Sequence, residues 1–314
     1  MKNFAFSKNA KFFIGISLAI IVAGLGVFLF KGFNLGIDFS GGTIITIDMG
    51  GSFETKKVEE IVLKYINADT RVNSSGEDQC VIRYQDKNSD SEELNKIRTD
   101  MLNDIKTIYP DAEQQSVDRV GATAGAQLIK NALLSILFAA IAMLIYVWIR
   151  FEFAFGVASL VCLGHDVLIM MAIVLIFNQQ VNSSFIAAVL TILGYSINNT
   201  IVVFSRVREY NQIYSATKTR VEIVDKSIQT TLARSMNTSL STLITVILVF
   251  ILGGAAIREF LFALIVGLVA GTYSSVLIAG PLWLWLCKRT DNWHKKMIEK
   301  GKSKKKAKKS LKNA

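Results

Sequence analysis

Unbroken apolar runs and one long stretch of mixed polarity divide this chain. Six runs lack the regular polar interruptions of a soluble helix or strand: 12–30, 132–149, 153–177, 185–204, 240–252 with a polar lead-in from Leu232, and 260–286. A hydrocarbon core takes roughly 20 helical residues to cross. Each run is therefore predicted to span a bilayer as a helix, whose backbone hydrogen bonds close within the segment. The first run has 19 residues and is followed by GFNLGIDFSGG, which offers no small-x-small cleavage pattern. It is longer than a signal-peptide core and is expected to stay as an anchor.

The mixed stretch, 31–130, carries shorter periodicities. GGTIITIDM alternates in β-branched residues, and FETKKVEEIVLKYIN places Val58, Ile61, Val62 and Tyr65 at helical spacing. The residues around Thr70 to Val72 and the run QCVIRYQ predict two strands across an NSSGED turn. In SEELNKIRTDMLNDIKTIY the residues Leu94, Ile97, Met101, Leu102, Ile105 and Ile108 form a second amphipathic stripe, with Ser91 or Asp90 as N-cap and Pro110 as stop. AEQQSVDRV closes the order βαββαβ. The predicted fold class is an α-helical polytopic membrane protein, six transmembrane helices with one ferredoxin-like α+β domain between the first and second. Such a domain specifies no function by itself.

Charge sets the orientation. The 314 residues carry a net +10 and are 51% hydrophobic, with only two prolines. Lys31 to Lys130 hold 17 acidic and 12 basic residues, whereas Lys288 to Ala314 hold 12 basic and 2 acidic. Lysine and arginine stay cytoplasmic. They collect at the N-terminus (1–11), at Arg150, between the fourth and fifth spans (Arg206, Arg208, Lys218, Arg220, Lys226), and in the tail 288–314. Both termini are thus expected on the cytoplasmic side and 31–130 outside, with 131–287 holding spans two to six. The lysine tail is expected to lie on anionic membrane lipid. No aromatic and basic reader motif accompanies the lysines, so nucleic acid is not an expected partner.

Few residues offer chemistry. The two histidines, His165 in lipid and His294 in the tail, leave metal and triad sites without material, and no enzymatic arrangement is expected. Cys162 and Cys287 sit in or at the end of apolar runs; Cys80 is a candidate thiol whose plain reading is a buried one. Gly36, Gly41 and Gly42 are not a phosphate loop, because no Lys-Ser/Thr follows. Any energy source must be an ion gradient or a partner.

Polar groups inside the spans stand out, since an ionisable side chain at the bilayer centre costs on the order of 3 kcal/mol. His165 and Asp166 lie mid-span in the third run. Asn198 and Asn199, with Ser196 and Thr200, lie in the fourth; Arg234 opens the fifth, followed by Ser235, Thr238, Ser241, Thr242 and Thr245. One hydrated polar seam accounts for all three sets as an ion path or gate. Each member also has a plainer reading: His165 and Asp166 as a helix-locking pair, Arg234 snorkelling to lipid phosphates, the asparagines as interhelical hydrogen-bond glue. Small residues recur every fourth position in the last span (Ala263, Gly267, Gly271, Ser275, Ala279) and in the first (Gly15, Ala19, Ala23), which predicts close helix packing inside the bundle or against another subunit.

LGIDFSGGT, the VG at Val120 and Gly121, YVWIRFEF, GHDVL, LTILGYSINNTIVVFSRVRE and ARSMNTSLSTL stand in one order from Gly36 to about Ser275. This set resembles the SecF branch of the SecD/SecF family, within the RND-like superfamily. The motif positions include Gly36, Asp38, Phe39, Gly41, Gly42, Gly194, Arg206 and Glu209. The resemblance implies an accessory subunit of the Sec preprotein translocase in the bacterial inner membrane. Such a subunit pairs with SecD and works with the SecYEG channel and usually YajC. It uses the proton-motive force to draw preproteins outward after SecA-driven insertion, with protons as coupling ion and no other cofactor. Arg234 aligns with the family's functional arginine, and His165 and Asp166 with its HD pair. The chain departs from the family where Asn199 and Ser205 replace aspartates and Ala122 replaces a proline. Alternatives are a structural subunit of the export complex without ion coupling, and a small-molecule or lipid exporter of the same superfamily.

Overall fold

The computed structural model describes residues 6–66, 70–75, 78–84, 91–215 and 217–288. Its helices and strands follow as α1 (Phe6–Lys31), α2 (Ile37–Ser40), β1 (Gly42–Asp48), α3 (Thr55–Tyr65), β2 (Arg71–Ser75), β3 (Gln79–Tyr84), α4 (Ser91–Ile108), β4 (Glu113–Val120), α5 (Ala122–Arg150), α6 (Phe153–Ile176), α7 (Ser183–Tyr214), α8 (Arg220–Leu252) and α9 (Ala255–Leu277). Six helices are long and apolar enough to cross a membrane: α1, α5, α6, α7, α8 and α9.

The outer domain is built on period-two alternation. Ile45 and Ile47 of β1 and Cys80, Ile82 and Tyr84 of β3 point to one face, where Val58, Ile61 and Val62 of α3 and Met101 and Ile105 of α4 cover them. Every strand pair is antiparallel and the order is β2-β3-β1-β4, the ferredoxin-like arrangement. Register is fixed by the buried face, with Ile45 opposite Ile82 and Ile47 opposite Cys80, because a slip of one residue would turn the apolar set outward. β2 runs through Ser75, farther than the predicted turn allowed. Asp90, one of two proposed N-caps for α4, lies outside the described residues, as do the tail from residue 289 onward and the first five residues.

α6, α7 and α9 make the centre of the bundle, with α1, α5 and α8 around them. Glycines let the backbones meet. A Cβ on Gly267 would lie 2.4 Å from Ile192 Cγ1, and one on Gly271 would lie 3.0 Å from Ser196 Cβ. The predicted seam of α9 thus packs on α7 within the chain. On α1 the small face Gly15, Ala19 and Ala23 is exposed and does not pack inside the bundle, which leaves contact with another subunit as its remaining use. Within the chain the contact is made instead by Gly24, whose added Cβ would sit 2.4 Å from Ala172 Cβ of α6. Sequence spacing identifies a small face but not which side of the helix meets a neighbour.

Several helices outrun their apolar cores. α5 starts at Ala122, inside the stretch assigned to the outer domain, α7 continues to Tyr214, and α8 begins at Arg220. The extensions keep an apolar side: Val207, past the fourth run, and Val224 and Ile228, ahead of the fifth, cluster with Val203 and Phe204 at the end of the fourth run. Thr219 starts α8 with a capping box, its hydroxyl accepting from the Glu222 amide while Glu222 bonds back to the cap. The sixth run, read as one span over 260–286, breaks at Ile278 and resumes as helix over 279–288. Pro281 explains the break, because its missing N–H would have bonded the carbonyl of Leu277.

Candidate functional site

At the outer membrane surface the LGIDFSGG segment forms a clasp. Gly36 donates its amide to the Val181 carbonyl at 2.9 Å, and the Val181 amide donates to the Asn34 carbonyl at 2.8 Å. That joins the segment to the α6–α7 loop as a parallel bridge. Asp38 Oδ2 accepts from the Ser183 amide at 2.9 Å, so a carboxylate sits on the positive N-terminus of α7. Phe39 is buried, and Gly125 of α5 passes so near that a Cβ there would be 2.8 Å from the Phe39 carbonyl oxygen. Gly41 adopts φ 73, left-handed backbone that favours glycine. The loop it clasps is shaped by α6's own ending, where Asn178 at φ 52 and Gln179 bond back to Leu175 and Val174.

The intramembrane polar groups fall into two sets. In the first, Asp166 of α6 is wholly buried. Its Oδ1 pairs with His165 Nδ1 at 2.9 Å, and its Oδ2 accepts from Ser196 Oγ of α7 and from Ser274 Oγ of α9 at 2.9 Å. Three donors from three helices therefore hold one carboxylate. With Nδ1 turned to Asp166, Nε2 is buried with no hydrogen-bond partner among the described residues. One turn further along α7, Asn199 donates to Ser239 Oγ of α8 at 3.3 Å, and Thr272 Oγ1 of α9 donates to the same oxygen at 2.8 Å. An apolar cleft of about 220 Å³ between α8 and α9 has Ser239 and Thr272 in its wall.

The second set points away from the chain. Arg234, Asn237, Thr238, Ser241 and Thr245 lie exposed on α8, and Thr191, Gly194 and Asn198 lie exposed on α7. Tyr195, between the sets, reaches Thr242 of α8 at 3.5 Å. This corrects the single seam: Arg234 and Asn198 do not join Asp166, His165 and Asn199 within the chain. The helical period is the cause, since Asn198 and Asn199 are consecutive and turn to different sides of α7. Arg234 makes no ion pair among the described residues. Ser274, which binds Asp166 directly, was not singled out in the sequence. It lies beside the small-residue stripe, and nothing local distinguishes it from a packing serine.

Beyond the bundle, Arg206 pairs with Glu209 at 2.8 Å along α7 and covers the Tyr210 ring. Ser205 is exposed. Cys80 is fully buried in the outer domain, and burial pushes its thiol up to about 12. At neutral pH it is therefore almost wholly protonated, so it is a core side chain and not a nucleophile. Among the described residues no group of histidine, cysteine and carboxylate side chains could hold a metal.

The outer α+β domain, the six spanning helices and the carboxylate held at their centre define a multi-pass membrane protein with a polar intramembrane interior. Comparison with known proteins gives the particular family. The model described as "Protein export membrane protein SecD/SecF, C-terminal" matches residues 100–289, and the SecD/SecF GG motif model matches residues 26–49. The chain is 36% identical over 298 residues to the protein translocase subunit SecF of Acidaminococcus fermentans, covering 92% of this chain and 99% of that protein. It is 37% identical to the SecF subunit of Sebaldella termitidis, covering 86% and 87%. This chain belongs to the SecD/SecF family, as a protein translocase subunit SecF. Among solved structures, SecDF from Thermus thermophilus, described as a translocon-associated membrane protein, superposes with a TM-score of 0.80 at 29% identity over 91% of this chain. SecDF in a super-membrane-facing form superposes with a TM-score of 0.68 at 30% identity over 93%. The chain spans 39% and 40% of those two longer chains.

Proposed function

We propose that this chain is one half of a twelve-helix export unit. In this reading it pairs with a SecD-type subunit in the bacterial inner membrane and uses the proton-motive force to promote protein export after SecA-driven insertion. The open polar face of α7 and α8 carries the proposal. A guanidinium and a row of hydroxyls facing lipid would each cost free energy, whereas a second bundle seated there would shield them and supply a carboxylate for Arg234. The SecDF chains, more than twice as long as the matched region, hold room for such a second half. SecYEG, YajC and the translocating preprotein are the further partners of this reading. In this reading both termini lie in the cytoplasm, which the lysine and arginine distribution supports, and the acidic outer domain faces the exported chain.

The protons would enter between the two halves and act on the Arg234 face, while Asp166 and His165 inside the bundle respond to the same movement. A second reading, a structural subunit without ion coupling of its own, is favoured by Asn199, an amide that cannot exchange a proton, and by the full set of donors already on Asp166.

The test is Arg234→Met in membrane vesicles carrying the whole export complex. The expected result is loss of gradient-stimulated secretion with normal recovery of the SecD-type partner on affinity purification. Unchanged secretion would favour the structural reading, and loss of the partner would make Arg234 an assembly residue.

A further inference from the structure

The end of the bundle remote from the outer domain carries a cavity that the export reading does not use. It measures about 340 Å³ and lies where the turn between α5 and α6 meets the extended end of α7. Its walls include Arg150, Phe151 and Glu152 from the turn, and Arg208, Asn211 and Gln212 from α7. One guanidinium is fixed in place. Arg208 Nη1 donates to the Arg150 carbonyl at 3.0 Å, and the group lies 5.9 Å over the Phe151 ring. A guanidinium has five N–H donors in a planar fork, so this bond leaves most of them for a ligand. Arg150 is exposed. Neither arginine forms an ion pair among the described residues, although Glu152 shares the cavity wall. The wall therefore keeps a net positive charge, with two amide side chains as further polar contacts.

Ile149, in the cavity wall, is 80% exposed, and its chain neighbours Trp148 and Phe153, next to the wall residues, are 59% and 63% exposed; Trp148 packs edge-on against Phe153. Large aromatic side chains at a helix end mark the level of lipid headgroups. A ligand that satisfies both parts has an anionic, hydrogen-bond-accepting head and hydrocarbon beneath it. We infer that this cavity is a binding site for the phosphodiester headgroup of an anionic glycerophospholipid, held by Arg150 and Arg208. A soluble phosphate would meet the arginines but leave the exposed aromatic and aliphatic side chains beside them unused. The inference rests on the membrane placement of α5, α6 and α7, and does not depend on proton coupling.

Native mass spectrometry of the full chain in mild detergent tests this, with dioleoylphosphatidylglycerol or dioleoylphosphatidylcholine added. The wild-type protein is expected to retain the phosphatidylglycerol in preference, and each arginine lost should reduce that preference about fivefold. R150Q is the first variant, because the Arg150 guanidinium makes no bond among the described residues whose loss would disturb the fold. R150Q/R208Q is the second. R206Q removes the same charge from the neighbouring surface outside the cavity and should bind as wild type. In nanodiscs, phosphatidylglycerol should raise the unfolding temperature of the wild type and R206Q but not of the double variant. Equal retention by the wild type and R150Q/R208Q, or an equal loss in R206Q, would overturn the site. Displacement of the lipid by millimolar inorganic phosphate would show a soluble-anion site and overturn the lipid assignment.

Discussion

Asp166 shows how a membrane bundle tolerates a carboxylate. It has no exposed surface, and its two oxygens are met by an imidazole and two serine hydroxyls. Hydrogen bonds to a charged acceptor contribute about 1.5–3 kcal/mol each, enough together to offset a large desolvation cost. Asp166→Asn is a conservative probe, because an amide has the same shape and hydroxyls can reverse their role. It should assemble normally yet reduce gradient-stimulated export several-fold more than Ser205→Ala, whose side chain lies exposed. Secretion into vesicles measures both, and equal, mild effects would show that the buried network is packing. The pairing of His165 with Asp166 was legible from their adjacency in a span. Ser196 and Ser274 were not, because their contact to Asp166 bridges 30 and 108 residues of chain.

For the elements, close approach matters more than side-chain volume. Gly36 passes Asn182 so tightly that a Cβ would fall 2.7 Å from Asn182 Cβ. Asn182 is also the N-cap of α7, accepting from the Phe185 amide at 3.0 Å. Gly36→Ala should therefore loosen both the clasp and the start of α7, and lower thermal stability by about 1–3 kcal/mol, the usual cost of overpacking. Gly15→Ala, on the exposed face of α1 with nothing within 4 Å, should be neutral or slightly stabilising through helix propensity. Unfolding followed by fluorescence in detergent compares the two; equal shifts would contradict the clasp. The GG motif is conspicuous as a string of glycines, but its mate, the 178–182 loop, carries no matching signal in the sequence.

Across the whole molecule, the outer domain meets the bundle through its uncovered sheet face. Arg83 of β3 lies 3.7 Å from Glu259 near the start of α9, and Glu259 also accepts from Asn182 Nδ2. These groups adjoin a cavity of about 490 Å³ lined by Thr46, Gln79, Asp118 and Arg258 among others. A partly exposed ion pair at 3.7 Å is a weak tie, worth at most about 1 kcal/mol. Glu259→Gln is expected to widen the distance distribution between spin labels on β4 and on the α6–α7 loop, while the domain itself stays folded. An unchanged distribution would mean that the clasp alone fixes the domain.

The apolar runs, the period-two strands and the lysine distribution belong to the sequence, because bilayer thickness and backbone hydrogen bonding act on short segments. They determined six spans, a βαββαβ domain and the residues that needed explaining. Which of those residues share a space was a matter of helix rotation and crossing, and there only tertiary structure decided. It buried Asp166 with two serines, turned Arg234 and Asn198 outward, and extended α7 and α8 past their apolar cores. It also packed Gly24 of α1 against α6 and left Gly15, Ala19 and Ala23 exposed. The physical reason is that a helix offers every side of itself to its neighbours, and the choice among them depends on contacts distant in the chain.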